Sequence, residues 1–300
     1  MSSSVSSDIV ALLDRGLVLL DGGMGSSLIS LGLADGACTE LWNLQHPERV
    51  RAVHEGFLRA GSDVVQTNSF GANSVALARH DAGDSMTDIN VAAAVIARGA
   101  CDAVGHGLVA GNIGPSGVFL PPVGTATEDE LRAAFSSQAR ALADGGVDYF
   151  SLETFSDIEE ALVAVSAIQT VSDLPITACL TFDRKKRGLF TLMGNRPSAA
   201  FEALKGAGVC AVGANCSIGS EDMGALADEL VDAASLPLIL KPNAGMPLLE
   251  DGVAVYGQPA SEFAQEVAAM ASLGAGAVGG CCGSDQAFIA AIRSEIDAQS

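Results

Sequence analysis

Short apolar runs alternate with longer amphipathic segments along almost the whole chain. The apolar runs are nearly continuous, as expected for parallel strands that are buried on both faces. The segments between them repeat apolar residues at helical spacing, as Val50, Val53 and Phe57 do. The pattern therefore predicts eight strand–helix units. Their strands are predicted at residues 17–21, 63–67, 108–111, 148–153, 175–180, 210–214, 236–241 and 275–279.

Local signals set the start of several predicted helices. Thr127 and Glu130 have the spacing of a capping box, and Ser156 is the predicted N-cap of the following helix. Pro197 suits the first turn of the helix after that. The helices are predicted at residues 47–59, 88–104, 127–145, 156–170, 197–206, 221–234, 260–272 and 285–296.

Eight such units in 300 residues predict a single-domain α/β protein, a (β/α)8 TIM barrel that spans residues 1–300. Residues 1–8 are predicted to be a disordered tail, because their serine-rich sequence lacks the basic and apolar regions of a signal peptide. An open doubly wound sheet is the alternative, but no Gly-x-Gly-x-x-Gly fingerprint follows the first strand. Glycines also interrupt the apolar runs before they reach the length of a membrane span.

The charge balance narrows the possible partners. Lys and Arg number 16 against 36 Asp and Glu, so the formal charge is −20. Such a chain is not expected to bind nucleic acid or an anionic membrane. We interpret the acidic surface as a source of solubility, with a docking face for a basic partner as the alternative. Seven cysteines without an export signal favour a reducing cytoplasm and metal or catalytic use. The pattern does not favour any one oligomeric state.

Three cysteines follow predicted strands at the end where TIM barrels carry their chemistry. Cys216 comes after the sixth strand, and Cys281 and Cys282 come after the eighth. Adjacent cysteines form a strained disulfide, whereas three thiolates around one Zn²⁺ leave a fourth tetrahedral position open for catalysis. The sequence therefore predicts a catalytic zinc site. Cys179 and Cys210 lie within strands and are interpreted as core residues.

An open zinc site of this kind is suited to a thiol substrate, because coordination removes the thiol proton and keeps the sulfur nucleophilic. The expected reaction is attack of that sulfur on an electrophilic carbon. Asp21 or Glu153 would bind an ammonium group, and the backbone N–H groups of residues 22–25 would bind a carboxylate. A thiol substrate with both an ammonium group and a carboxylate is an amino acid. Two structural alternatives stay open: Asp21 as a helix cap, and Glu153 as the partner of a barrel arginine.

Several motifs along the chain together indicate a protein family. Two of them are highly specific in combination: Asn215-Cys216-Ser217 and Gly279-Gly280-Cys281-Cys282-Gly283. The others are Leu20-Asp21-Gly22-Gly23-Met24-Gly25, His46-Pro47-Glu48, Ala60-Gly61-Ser62-Asp63, Gln66-Thr67-Asn68-Ser69-Phe70-Gly71 and Glu153-Thr154-Phe155. With these motifs the chain, from about residue 17 to 296, resembles the zinc-dependent homocysteine S-methyltransferases.

The resemblance implies a (β/α)8 barrel that transfers a methyl group to homocysteine and so makes methionine. It implies that Cys216, Cys281 and Cys282 bind the zinc. Asn215 also matches a position of the family. The homocysteine contacts that it implies fall on Asp21, on the backbone of Gly22, Gly23 and Met24, on Thr67 and on Glu153.

The motifs resemble two branches of the family that use different methyl donors. Residues 242–247, Pro-Asn-Ala-Gly-Met-Pro, resemble the homocysteine module of cobalamin-dependent methionine synthase, whereas residues 57–62 resemble the betaine branch. The expected donor is a methyl-corrinoid protein or a small compound such as S-methylmethionine, betaine or dimethylsulfoniopropionate. One alternative is a subunit of a corrinoid-dependent complex that acts on another thiol or demethylates. A barrel that binds zinc without activity is a further alternative. The basic segment 183–188 is interpreted as a solvated loop, with a partner contact as its alternative.

Overall fold

A barrel of eight parallel strands forms the centre of the protein in the computed structural model, which describes residues 9–34, 36–250 and 253–299. We number these strands in chain order: β1 (Val18–Leu19), β2 (Val64–Gln66), β3 (Leu108–Ile113), β4 (Tyr149–Phe155), β5 (Ile176–Leu180), β6 (Ala211–Gly219), β7 (Leu238–Asn243) and β8 (Ala277–Val278). From β2 to β8 each strand pairs in parallel with the next strand in the chain, and β8 also pairs in parallel with β1.

The barrel closes where the chain enters β2. The Asp63 N–H donates to the Leu19 carbonyl over 2.7 Å, and the Leu19 N–H donates to Asp63 Oδ2 over 2.8 Å. These two bonds join β1 to the start of β2, which is the one junction that lacks a regular ladder. The predicted TIM barrel is therefore confirmed, and the open sheet is excluded.

Helices surround the barrel, and most follow the predicted pattern. Those of the described residues are α1 (Ile9–Arg15), α2 (Met24–Ser30), α3 (Trp42–Gln45), α4 (Pro47–Arg59), α5 (Ser74–Leu77), α6 (Met86–Val104), α7 (Glu128–Asp144), α8 (Ile158–Gln169), α9 (Pro197–Gly206), α10 (Ser220–Ala233), α11 (Ala260–Ser272) and α12 (Gln286–Gln299). None of them is long and apolar enough to cross a lipid bilayer.

The core has two layers, because successive residues of a strand point to opposite faces. Val18 and Leu20 lie in the cluster that fills the barrel, whereas Leu19 packs outward against the helices. Cys179 belongs to the inner cluster, as predicted, and Cys210 packs at its edge. Helix α1, which the pattern did not predict, adds Ile9 to the same inner cluster.

The structure corrects one local prediction and adds detail to another. The N-cap of α8 is Asp157 and not Ser156, because Asp157 Oδ1 accepts the Glu159 N–H over 3.0 Å. The basic segment, interpreted as a solvated loop, contains an antiparallel hairpin, in which residues Asp183–Lys185 pair with Gly188–Phe190. Its charged residues 184–187 are exposed. The capping box of Thr127 and Glu130 is confirmed. The tail predicted at residues 1–8 lies outside the described residues.

A second antiparallel hairpin, Leu248–Glu250 with Val253–Val255, follows β7, and the pattern did not predict it.

One buried histidine makes the stability of the fold depend on pH. His54 in α4 is fully buried, and neither of its ring nitrogens has a hydrogen-bond partner in the described residues. Burial lowers the pKa of His54 from 6.5 to about 4. Below pH 6.5 the unfolded chain therefore binds a proton that the folded chain excludes, so the free energy of unfolding falls as the pH falls.

We predict that lowering the pH from 7.5 to 5.5 removes about 1.4 kcal/mol of stability through His54 alone. Urea unfolding of the wild type and of His54→Leu at both pH values measures this. The loss of stability in His54→Leu should be smaller than in the wild type by about 1.4 kcal/mol. His106→Leu changes a histidine at an exposed position and should behave like the wild type. An equal loss in wild type and His54→Leu would exclude His54 as the cause.

Candidate metal and substrate site

A cavity of about 400 Å³ opens at the carboxyl ends of the barrel strands. Except for Asn215, the site residues predicted from the sequence all line it: Asp21, Gly22, Gly23, Met24, Thr67, Glu153, Cys216, Cys281 and Cys282. Asn215 lies directly beside this set, with its side chain against Thr154 and Cys281. The fold therefore brings together residues that are far apart in the sequence.

The three cysteines have the geometry of a metal site. Their sulfur atoms all lie within 4.8 Å of one another, and Cys216 Sγ is 3.9 Å from Cys282 Sγ. A tetrahedral Zn²⁺ with bonds of about 2.3 Å to each sulfur needs the sulfurs roughly 3.8 Å apart. The thiols present therefore fit the ion that the sequence predicts.

Cys216 is held in a backbone conformation that few side chains adopt. Cys216 and Ser217 have φ values of 59° and 64°, and Thr154 at the end of β4 has a φ of 64°. Left-handed backbone of this kind is costly for residues with a Cβ and needs support from its surroundings. Asn215 supplies it, because its side chain accepts the Thr154 N–H and donates to Thr154 Oγ1, each over 2.8 Å. Asn215 thus joins the ends of β4 and β6.

The turn that carries Cys281 and Cys282 is fixed by the last residues of β7 and by Ala244, which follows them. The Cys281 N–H donates to the Pro242 carbonyl over 2.8 Å, and the Ala244 N–H donates to the Cys282 carbonyl over 2.9 Å. The Cys282 N–H donates to Asn243 Oδ1 over 3.1 Å. The Pro-Asn-Ala motif thus holds the cysteine turn, and sequence reasoning did not identify Asn243 as a site residue.

The glycines after β1 allow close packing against the same turn. A Cβ on Gly22 would lie 2.4 Å from the Ser284 carbonyl oxygen, and one on Gly23 would lie 2.6 Å from that of Cys281. The Gly23 N–H donates to the Ser284 carbonyl over 2.8 Å. This corrects part of the sequence interpretation, because the Gly23 N–H already has a protein partner and does not face a substrate carboxylate.

The thiols influence one another's ionisation. The pKa of Cys282 is lowered, because the thiols of Cys216 and Cys281 and the Tyr256 hydroxyl donate hydrogen bonds to its thiolate. The same contacts with Cys216 and Cys282, together with burial, raise the pKa of Cys281. One thiolate therefore forms readily, and a cation that binds all three sulfurs must displace protons from the others.

A buried ion cluster lies in the same cavity. Lys241 projects from β7 and is 2% exposed. Its Nζ lies 2.8 Å from Glu153 Oε1 and 3.5 Å from Asp21 Oδ1, and it donates to Gln66 Oε1. Burial alone would lower the pKa of Lys241, but Glu153 and Asp21 outweigh it and raise the pKa. Lys241 is therefore a cation.

Sequence reasoning missed Lys241, although a lysine in an otherwise apolar strand was a signal. The partner expected for Glu153 in the structural alternative was an arginine, and the structure shows this lysine instead. Asp21 is not a helix cap, since the N-cap of α2 is Gly23 and no side chain caps it.

Each carboxyl group keeps an oxygen that Lys241 does not engage. Asp21 Oδ2 accepts the Gln66 N–H over 2.7 Å, whereas Asp21 Oδ1 is buried without a hydrogen bond. Burial, opposed mainly by Lys241, raises the pKa of Asp21 to about 6. Glu153 Oε2 accepts from Asn112 Nδ2 over 3.3 Å, and the Asn112 N–H donates to Thr67 Oγ1 over 2.9 Å. Thr67 is thereby linked to the cluster.

Comparison with known proteins identifies the family of this chain. A family model described as homocysteine S-methyltransferase matches residues 18–296. The chain belongs to the homocysteine S-methyltransferase family. The family resemblance inferred from the motifs is therefore confirmed.

Relatives within this family include methionine synthases from Mycobacterium tuberculosis and Mycobacterium leprae. Each is 30% identical over 305 residues, which cover 96% of this chain. The chain spans 25% of the length of each of these relatives.

Solved structures of the homocysteine methyltransferase MmuM from Escherichia coli have the same fold. The metallated form matches with a TM-score of 0.78 and 26% identity, over 95% of this chain and 98% of that one. The apo form matches with a TM-score of 0.74 over the same shares of the two chains.

We predict that Cys282→Ala loses the metal, because two thiolates cannot replace three around Zn²⁺. Zinc content after dialysis against a chelator measures the effect, with about one ion expected in the wild type and almost none in the variant. Cys179→Ala, in the barrel interior, should retain the ion. A full equivalent of zinc in Cys282→Ala would contradict the assignment.

We predict that Asn215→Ala weakens zinc binding about 10- to 100-fold, as loss of a group that orients a ligand typically does. The reason is that Thr154 and Cys216 lose the contact that supports their left-handed backbone. Competition with a chromophoric chelator measures the affinity. Asn73→Ala is the matched control, because Asn73 is a buried N-cap of α5 that does not line the cavity. Equal zinc affinity in both variants would show that Asn215 does not position the site.

Proposed function

We propose that this protein transfers a methyl group to the thiol of homocysteine and so makes methionine, with Zn²⁺ held by Cys216, Cys281 and Cys282. The observation that carries the proposal is the shared cavity. Three thiols within 4.8 Å of one another line the same space as Asp21 and Glu153. A metal site for a thiol and an acidic site for an ammonium group thus stand side by side.

Cys216, Cys281 and Cys282 would hold Zn²⁺, which when bound would remove the proton of an acceptor thiol and keep its sulfur nucleophilic. The acceptor sulfur then forms a bond to the methyl carbon. The bond between that carbon and the donor breaks, and its electron pair leaves with the donor. The thiol proton passes to solvent.

The residues of the chain would orient the acceptor for this step. Asp21 and Glu153 each keep one oxygen that Lys241 does not engage, and these oxygens would accept hydrogen bonds from the ammonium group. Because the Gly23 N–H has a protein partner, the carboxylate would bind at the N–H groups of Met24 and Gly25, which belong to the first turn of α2. Thr67 would close the side of the cavity near Glu153.

We consider two donor classes, a methyl-corrinoid protein and a small sulfonium or ammonium compound. Exposed apolar side chains in the loops around the cavity mouth favour the protein donor, because such surface is costly unless a partner covers it. They are Phe70, Phe119, Val123, Leu192, Met193, Met246 and Leu248. The names of the mycobacterial relatives add support. The described cysteines form no disulfide, which fits a reducing cytoplasm.

The proposal is tested by following methionine formation from L-homocysteine by mass spectrometry with the zinc-loaded protein. Methylcobalamin, S-methylmethionine, betaine, dimethylsulfoniopropionate and S-adenosylmethionine are supplied in separate reactions. We expect methionine with at least one donor and none with Cys282→Ala. Turnover with methylcobalamin would favour the corrinoid protein as the natural donor.

Two results would contradict the proposal. One is the absence of methionine with all five donors from protein that holds a full equivalent of zinc. The other is equal turnover by the wild type and Cys282→Ala.

A further inference from the structure

The acceptor cavity contains a cation of its own. The Lys241 ammonium donates to Gln66 Oε1 and Glu153 Oε1 and forms an ion pair with Asp21, whose Oδ1 lies 3.5 Å from Nζ. Lys241 and both acidic residues line the cavity. A ligand that reaches Asp21 and Glu153 therefore also meets the charge of Lys241.

The charge count shows what this cation does. Two carboxylates alone would place a charge of −2 in a buried cluster, and buried charges are costly unless they are paired. An acceptor with an ammonium group would then be strongly favoured. Lys241 reduces the charge to −1 before any ligand binds. It also repels a second ammonium group, because like charges at short distance in a poorly solvated cavity interact strongly.

We propose that Lys241 is a specificity-determining residue that takes part of the place of the substrate ammonium group. The cavity consequently also accepts thiols that carry a carboxylate and no amino group, the ω-mercaptocarboxylates. 4-Mercaptobutanoate, which is homocysteine without its amino group, is the simplest member of this class. The inference rests on the proposed function, in that the acceptor thiol binds beside Cys216, Cys281 and Cys282.

Methyl transfer to an ω-mercaptocarboxylate would make and break the same bonds as transfer to homocysteine. The acceptor sulfur forms the bond to the methyl carbon, the thiol proton passes to solvent, and the donor leaves with the electron pair of the broken bond. The product is a methylthio acid. No group on the amino-bearing carbon takes part, so the amino group affects binding and not the bonds that change.

Cobalt(II)-loaded protein tests the inference without a methyl donor. Thiols that bind to cobalt change its visible spectrum, so titration at pH 8 yields dissociation constants for L-homocysteine and 4-mercaptobutanoate. We expect the wild type to bind the two within about tenfold of each other. If no lysine opposed the ammonium group at the two carboxylates, homocysteine would bind roughly 10- to 150-fold more tightly than 4-mercaptobutanoate.

Three variants isolate the charge of Lys241. Lys241→Met removes it at similar length, and the preference for homocysteine over 4-mercaptobutanoate should rise at least about tenfold. Lys241→Arg keeps the charge and should keep the wild-type ratio. Lys205→Met removes an exposed positive charge elsewhere and should also leave the ratio unchanged. Circular dichroism and cobalt stoichiometry show whether each variant is folded and loaded.

Two outcomes would overturn the inference. One is a wild-type preference for homocysteine over 4-mercaptobutanoate above about a hundredfold. This measurement uses only the wild type, so it remains decisive even if Lys241→Met fails to fold. The other is an unchanged ratio in folded Lys241→Met. Failure of both thiols to alter the cobalt spectrum would instead refute the proposed function, so the two failures are distinguishable.

Discussion

The common direction of the eight strands is the constraint on which the site depends. Because all strands are parallel and the barrel closes through Asp63 and Leu19, their carboxyl ends meet at one mouth. Residues separated by tens of positions in the chain thus become neighbours. The cysteine turn after β8 is hydrogen-bonded to the end of β7, and Asn215, beside Cys216, is hydrogen-bonded to β4. The metal geometry follows from this closure.

Strained backbone and close packing accompany that geometry. Thr154, Cys216 and Ser217 adopt left-handed conformations where β4 and β6 end, and the hydrogen bonds of Asn215 stabilise them. Gly22 and Gly23 allow the loop after β1 to contact the cysteine turn at distances that a Cβ would prevent. The three sulfurs are therefore held in position by main chain and amide side chains, so their arrangement does not depend on the ion alone.

Two clusters of opposite character share the cavity. The thiol cluster forms one thiolate readily and has the spacing of a metal site, whereas the cluster of Asp21, Glu153 and Lys241 contains an internal ion pair. In the proposed function, a substrate ammonium group would share carboxylates that Lys241 already contacts. The charge that remains after this internal pairing, and not the number of acidic residues, would then govern which acceptor binds.

The sequence by itself determined the eight strand–helix units, the bounds of α4 and α11, and the three cysteines, because periodicity, capping and motif spacing are local properties. Only the tertiary structure revealed Lys241 as the partner of Glu153, since 88 residues separate them and a strand lysine does not indicate its partner. Likewise, Gly23 looked free to bind a substrate until the fold placed Ser284 against its N–H. Local patterns report burial and conformation, whereas the pairing of polar groups is decided by which strand ends the closed barrel brings together.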